Sequence, residues 1–190
     1  RTFEIITGTT LDIPIPLLRS NLLECGETKK VMVVGIFGPK GSGKSTLLNS
    51  LFGCDFLTSE SRCTSGVYGT YYAISNPKLS NYDGVLLLDT EGLSNSGGMP
   101  FKDDGKNFDT KLALFLLKTC DVLIINMGGK IDKDYEKILE LAFDCELMER
   151  KPGSRYPHLY IVLNQSAGIM SERQRNEVKS LRSKILNVAP

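Results

Sequence analysis

The sequence predicts an α/β fold, a mostly parallel sheet with helices on both faces. Three observations carry that prediction. Short apolar runs rich in β-branched residues alternate with longer stretches of helical periodicity. A glycine-rich turn joins the first clear run to the first clear helix. The chain has 190 residues, 41% of them hydrophobic, enough for one sizeable core. The expectation is a single domain over 1–190, cut from a larger protein, with residues 1–30 as a lead-in segment.

In that lead-in, Pro14 and Pro16 interrupt any regular element, and "LLRSNLLE" suits a short helix. "VMVVGIF" (Val31–Phe37) is a continuous run of the kind that forms a strand buried on both faces. "KSTLLNSLFG" follows as a helix closed by Gly53. "GVYGTYYAI" (Gly66–Ile74) is rich in β-formers, and "GVLLLD" (Gly84–Asp89) reads as a further buried strand. "DTKLALFLLK" suggests a helix and "DVLIINM" a strand. Asp132–Lys151 is amphipathic at helical period and stops at Pro152–Gly153. "HLYIVLN" (His158–Asn164) is a strand, and Ser171–Leu186 a helix with Ser171 as its N-cap.

Composition narrows the function classes. The formal net charge is +1 with 24% charged residues, so no nucleic-acid footprint or strong attraction to acidic membranes is expected. Five cysteines, without a CxxC pair, predict reduced thiols in a cytoplasmic protein rather than a disulfide framework or zinc site. The single histidine, His158, has no second histidine to share a metal and reads as a strand-entry residue. Leu112–Met127 is the longest apolar stretch. Lys118 and Asp121 interrupt it, so it reads as a helix end plus a strand, and any membrane anchor is expected outside this chain. No signal peptide is visible, and the chain opens on Arg1.

The turn after the first strand carries the chemistry. Gly38-Pro39-Lys40-Gly41-Ser42-Gly43-Lys44-Ser45 satisfies GxxxxGK followed by Ser or Thr, with Thr46 next. Its glycines let successive N–H groups point inward as an anion nest, and the helix N-terminus adds positive potential. Lys44 can reach β- and γ-phosphates, and the Ser45 hydroxyl can ligate Mg²⁺. At this point ATP and GTP are equally open. The second motif is "LLLDTEGL", a strand ending in Asp-x-x-Gly. In phosphate-loop enzymes such an aspartate, here Asp89, holds Mg²⁺ through water, and the glycine N–H, here Gly92, touches the γ-phosphate. The stretch after it, "LSNSGGMPFKDDGKNF", is too hydrophilic to pack well and reads as a surface loop that doubles as a switch segment.

"FGPKGSGKSTLLNSLFG", "RCTSGVYGTYY", "LLLDTEGL" and "DVLIINM" together resemble the dynamin-superfamily group of guanylate-binding proteins, atlastins, ER-fusion GTPases and very large inducible GTPases. The resemblance covers roughly Val31–Asn164. It implies a three-layer P-loop NTPase of the Ras-like G-domain type that binds and hydrolyses GTP with Mg²⁺ as cofactor. It also implies nucleotide-dependent homodimerisation, and membrane association through regions outside this chain, on the cytosolic face of a membrane. By the same resemblance Thr64 becomes the switch I threonine that completes the Mg²⁺ shell and holds the attacking water. Thr58 and Thr70 compete for that role on sequence alone; the Ser65-Gly66 turn and the β-rich run behind Thr64 favour it. Glu91 sits where the group carries an acidic residue that organises water, although it also suits a solvated loop.

Two positions depart from the pattern. Guanylate-binding proteins and atlastins place an arginine in the phosphate loop where this chain has Gly41. An arginine finger is worth ~10³–10⁵ in rate. Lys40 and Arg62 are the candidate replacements, each able to act across a dimer interface, though Lys40 equally suits plain phosphate attraction. Guanine is usually read by an aspartate after a late strand, because a carboxylate accepts two N–H donors. Here Asn164 is followed by Gln165-Ser166-Ala167-Gly168, with no carboxylate. Asn164 and Gln165 are the candidate base contacts through their amides, and a plain strand-end turn is the rival reading.

Overall fold

Alternation of side chains across a strand means that a doubly buried run must be apolar at both parities. Val31–Phe37 is such a run, and in the computed structural model it is a strand that sends residues to both cores. The structure describes residues 2–7, 30–58, 66–74, 81–90, 103–128, 133–149 and 156–164, with Glu172 and Asn176 as isolated helical positions.

In chain order the elements are β1 (Thr2–Thr7), β2 (Val31–Phe37), α1 (Lys44–Phe52), β3 (Gly66–Ala73), β4 (Gly84–Thr90), α2 (Asp103–Thr119), β5 (Val122–Gly128), α3 (Lys133–Glu149) and β6 (His158–Asn164). They build one 6-stranded sheet in the order β1-β3-β4-β2-β5-β6. Strands β4, β2, β5 and β6 are mutually parallel, β3 runs antiparallel to β4, and β1 runs antiparallel to β3. On one face Phe37, Leu88, Leu123, Ile125 and Met127 pack with Leu112 and Leu116 of α2 and Leu139 and Phe143 of α3. On the other face Val34, Ile36, Leu87 and Ile124 pack with Leu48 of α1 and Phe56. The result is the three-layer, mostly parallel P-loop NTPase fold that the sequence predicts.

Two aspartates at the N-terminal edge fix the register of the parallel strands. Asp121 Oδ2 accepts the Val33 N–H at 2.8 Å, while the Asp121 carbonyl accepts the His158 N–H at 2.8 Å. Asp83 repeats the device on the other side of β2, its Oδ2 accepting the Lys30 N–H at 2.7 Å. Strand-end N–H groups that a parallel ladder leaves open are satisfied this way. His158 enters β6 as expected, and is exposed.

The structure differs from the sequence reading in two places. Thr2–Thr7, inside the lead-in, is an edge strand. Helix α2 begins at Asp103, so the end of the hydrophilic stretch predicted as loop, Asp103–Phe108, is helical backbone. The predicted short helix "LLRSNLLE" and most of Ser171–Leu186 lie outside the described residues; Glu172 and Asn176 of the latter are helical.

Gly35 shows how tightly α2 sits on β2. A Cβ there would lie 2.5 Å from Cys120 Sγ and 3.1 Å from Leu116 Cδ2. Gly35→Ala is therefore expected to destabilise the domain by about 1–3 kcal/mol, measured by urea unfolding. Adding Cys120→Ala, which removes the nearer atom, should restore a substantial part of that loss. The Cys120 thiol is buried, and burial pushes its pKa up to about 12. Cys54, Cys120 and Cys145 are all free thiols.

Candidate functional site

In an open α/β sheet ligands bind beyond the carboxyl ends of the strands, where the connections leave in opposite directions. Here that point is the end of β2, with β4 on one side and β5 on the other. The loop Gly38–Gly43 leaves β2 there and feeds α1. Gly41 (φ 74°) and Gly43 (φ 80°) both occupy the left-handed region, which glycine enters without steric cost. Gly38 is needed for a different reason: a Cβ would overlap the Asn126 carbonyl oxygen and lie 3.3 Å from Ser42 Oγ. The Ser42 N–H donates to Pro39 O at 3.3 Å and the Leu47 N–H to Gly43 O at 2.9 Å, which closes the loop and starts the helix.

Lys44 is the first residue of α1 and is only 6% exposed. Its Nζ donates to Pro39 O at 3.0 Å, so the ammonium is folded across the loop it serves. Ser45 Oγ donates to Asp89 Oδ2 at 2.6 Å. Asp89 is the next-to-last residue of β4, is 1% exposed, and its Oδ1 has no hydrogen-bond partner among the described residues. Burial pushes the Asp89 carboxyl upward in pKa, opposed by the Ser45 hydroxyl and the Lys44 ammonium. The next residue locks the strand end, Thr90 Oγ1 donating to Ile36 O at 2.7 Å. A hydroxyl beside a carboxylate with one orphaned oxygen is a hard oxygen donor set, and it fits Mg²⁺. No group of three or more metal-ligating side chains occurs among the described residues. Mg²⁺ suits such a site because it is usually bound by one or two protein groups plus substrate phosphates.

On the other flank, Asn126 of β5 donates through Nδ2 to Ser42 O at 2.8 Å and to Ser42 Oγ at 2.9 Å. Asn164, at the end of β6, donates through Nδ2 to Ser42 O at 3.1 Å and to Gly43 O at 3.4 Å. Of the sequence-predicted site residues, the structure brings together Gly38, Pro39, Ser42, Gly43, Lys44, Ser45, Asp89 and Asn164. Lys40, Gly41 and Thr46 lie in the same loop and helix start, exposed. Of the rival switch threonines, Thr70 is buried in β3 and bonded to Thr2 Oγ1 at 3.0 Å. Arg62, Thr64, Glu91, Gly92 and Gln165 lie outside the described residues. Asn126 is the residue that sequence reasoning missed. Its signal was a lone amide inside an apolar strand run.

The model of the URGCP-like GTPase domain family matches residues 2–189. The chain belongs to this family. It is a dynamin-superfamily-like G domain, as the resemblance implied. It is similar to interferon-induced very large GTPase 1 of Mus musculus, 33% identical over 149 residues, covering 76% of this chain and 6% of that protein. It is also similar to protein SEY1 of Vanderwaltozyma polyspora, 38% identical over 146 residues, covering 68% of this chain and 18% of that protein. The chain thus spans a small part of the curated relatives it matches. A solved structure of Toc33 from Arabidopsis thaliana shares the fold at a TM-score of 0.52 and 15% identity, covering 90% of this chain and 68% of that one. No helix among the described residues is long and apolar enough to cross a membrane.

Proposed function

We propose that this domain binds and hydrolyses GTP with Mg²⁺, and that ordering of its switch loops around the γ-phosphate drives pairing of two G domains or assembly at a membrane. The observation that carries the reading is the convergence of Lys44, Ser45 and Asp89 at the ends of β2 and β4 beneath a glycine loop. Ser45 and Asp89 would hold the ion together with Thr64. Bound there, Mg²⁺ would neutralise charge on the phosphate oxygens. Lys44 and the loop N–H groups would hold the phosphates in line, and Glu91 and the Gly92 N–H would place water and sense the γ-phosphate. Little covalent chemistry is asked of the protein, so positioning and charge neutralisation carry the rate. The guanine preference is inferred from the URGCP-like GTPase family match and from the similarity to interferon-induced very large GTPase 1.

Competition of GTP and ATP against one fluorescent guanine nucleotide tests occupancy and base together. GTP is expected to displace the analogue at least tenfold more effectively than ATP; equal displacement would favour an ATPase of the same fold. A second reading, a nucleotide-binding interaction module with little turnover, is favoured by Gly41 at the position of the loop arginine. Single-turnover phosphate release at high domain concentration separates the two readings. Solution mass with a non-hydrolysable GTP analogue tests pairing, and an unchanged monomer would remove it.

A further inference from the structure

Asn126 is the amide in an otherwise apolar β5, and it is fully buried. Burying an amide is costly unless it is hydrogen-bonded, and here Nδ2 donates twice to one residue of the phosphate loop, to Ser42 O and Ser42 Oγ. Its Oδ1 is buried without a partner among the described residues. An apolar residue like its neighbours would avoid that orphaned acceptor. The same residue's main-chain carbonyl abuts Gly38, so β5 grips the loop at its first glycine and again at Ser42.

We propose that Asn126 is a positioning residue for the bound phosphates, acting by fixing the Ser42–Gly43 peptide. In a planar trans peptide the C=O and the following N–H point in opposite directions. The Ser42 carbonyl is drawn toward β5 and β6 by Asn126 and Asn164. The Gly43 N–H is thereby turned away from those strands, toward the hollow of the loop. Gly43 sits at φ 80°, and a glycine on one side of a peptide makes that peptide easy to flip. The amide supplies the restraint that glycine removes. Asn164 shares the carbonyl but holds it at the longer distance, so the larger part falls to Asn126.

The inference rests on the nucleotide-binding reading above. The test uses the purified domain, titration with a fluorescent GDP analogue, and urea unfolding without nucleotide. Two variants are compared. Asn126→Leu removes the donor and fills the space; Asn126→Asp keeps the shape but turns an acceptor on the Ser42 carbonyl. Both are expected to weaken analogue binding by ~10- to 100-fold, while the urea midpoint of Asn126→Leu stays at or above wild type. Binding within about threefold of wild type in both variants overturns the positioning role alone. So does a midpoint loss in Asn126→Leu that accounts for its weaker binding, or failure of both variants to fold, since either makes the amide a packing element. A wild-type domain that takes up no analogue overturns the nucleotide reading and this inference together.

Discussion

Lys44→Ala is expected to lower GTP affinity by about 10²–10⁴-fold while leaving the fold intact. Charge-assisted hydrogen bonds contribute about 1.5–3 kcal/mol each, and an ammonium with three donors can make two of them to β- and γ-phosphates. Removing both corresponds to that range of affinity. In this domain the effect is sharpened by burial. Lys44 is only 6% exposed, so its charge faces low local dielectric and little competing water. Its Nζ already rests on Pro39 O, inside the loop, so reaching the phosphates requires little reorganisation. The structural cost of the change should be small. Alanine is a better helix former than lysine at the start of α1, and the carbonyl of Pro39 keeps the Ser42 N–H. The Lys44 ammonium also restrains the upward shift of the Asp89 carboxyl, so its loss weakens the cation site as well. Fluorescent-nucleotide titration with and without Mg²⁺ checks this. Affinity within about tenfold of wild type would show that the loop does not hold phosphates.

The parts of the molecule that announce themselves in sequence are those where one local rule decides the outcome. Val31–Phe37 has the predicted limits because a run apolar at both parities suits a strand covered on both faces, and His158–Asn164 also has its predicted limits, as a partly exposed strand paired to β5. Gly53 ends α1 because it takes φ 65°, and its N–H returns to Asn49 O at 2.9 Å. Strand direction is another matter. Nothing local in "GVYGTYYA" says that β3 runs against β4; α1 ends at Gly53 beside Tyr72, near the end of β3 rather than its start, so the direction is a property of the whole sheet. Strand β1 escaped notice because "TFEIIT" is short and its partner, β3, lies far along the chain. Helix α2 starts early, at Asp103, over residues that carry no apolar period, so the start was invisible to periodicity. In the site, the loop and Asp89 were legible as motifs with a chemical reason. Asn126 was not, since an amide in a strand acquires meaning only once the fold sets it against Ser42.

Asp89→Asn is expected to cut Mg²⁺-dependent GTP turnover by ~10²–10³-fold, the scale of losing one charge-stabilising element in the transition state, and to raise the stability of the nucleotide-free domain. The two effects share one cause. Asp89 is 1% exposed, and one carboxylate oxygen has no hydrogen-bond partner among the described residues. Burial raises its pKa, so the folded state favours the protonated form more than the unfolded chain does. The sign follows: this group's contribution is most favourable below the unfolded value and is lost as pH rises through the raised folded one, so at neutral pH the charged carboxylate costs stability. A neutral amide of the same shape removes that cost and can still pair with the Ser45 hydroxyl, now 2.6 Å from Oδ2. It cannot supply the negative charge that a divalent cation requires. The urea midpoint of the empty domain should therefore rise while phosphate release falls, and nucleotide binding in EDTA should change little. This is the trade-off expected where a site keeps a strained charge for its chemistry. A variant that hydrolyses GTP at the wild-type rate would remove Asp89 from the cation site. A variant slower but no more stable would show that the carboxylate is compensated by contacts beyond Ser45 and Lys44.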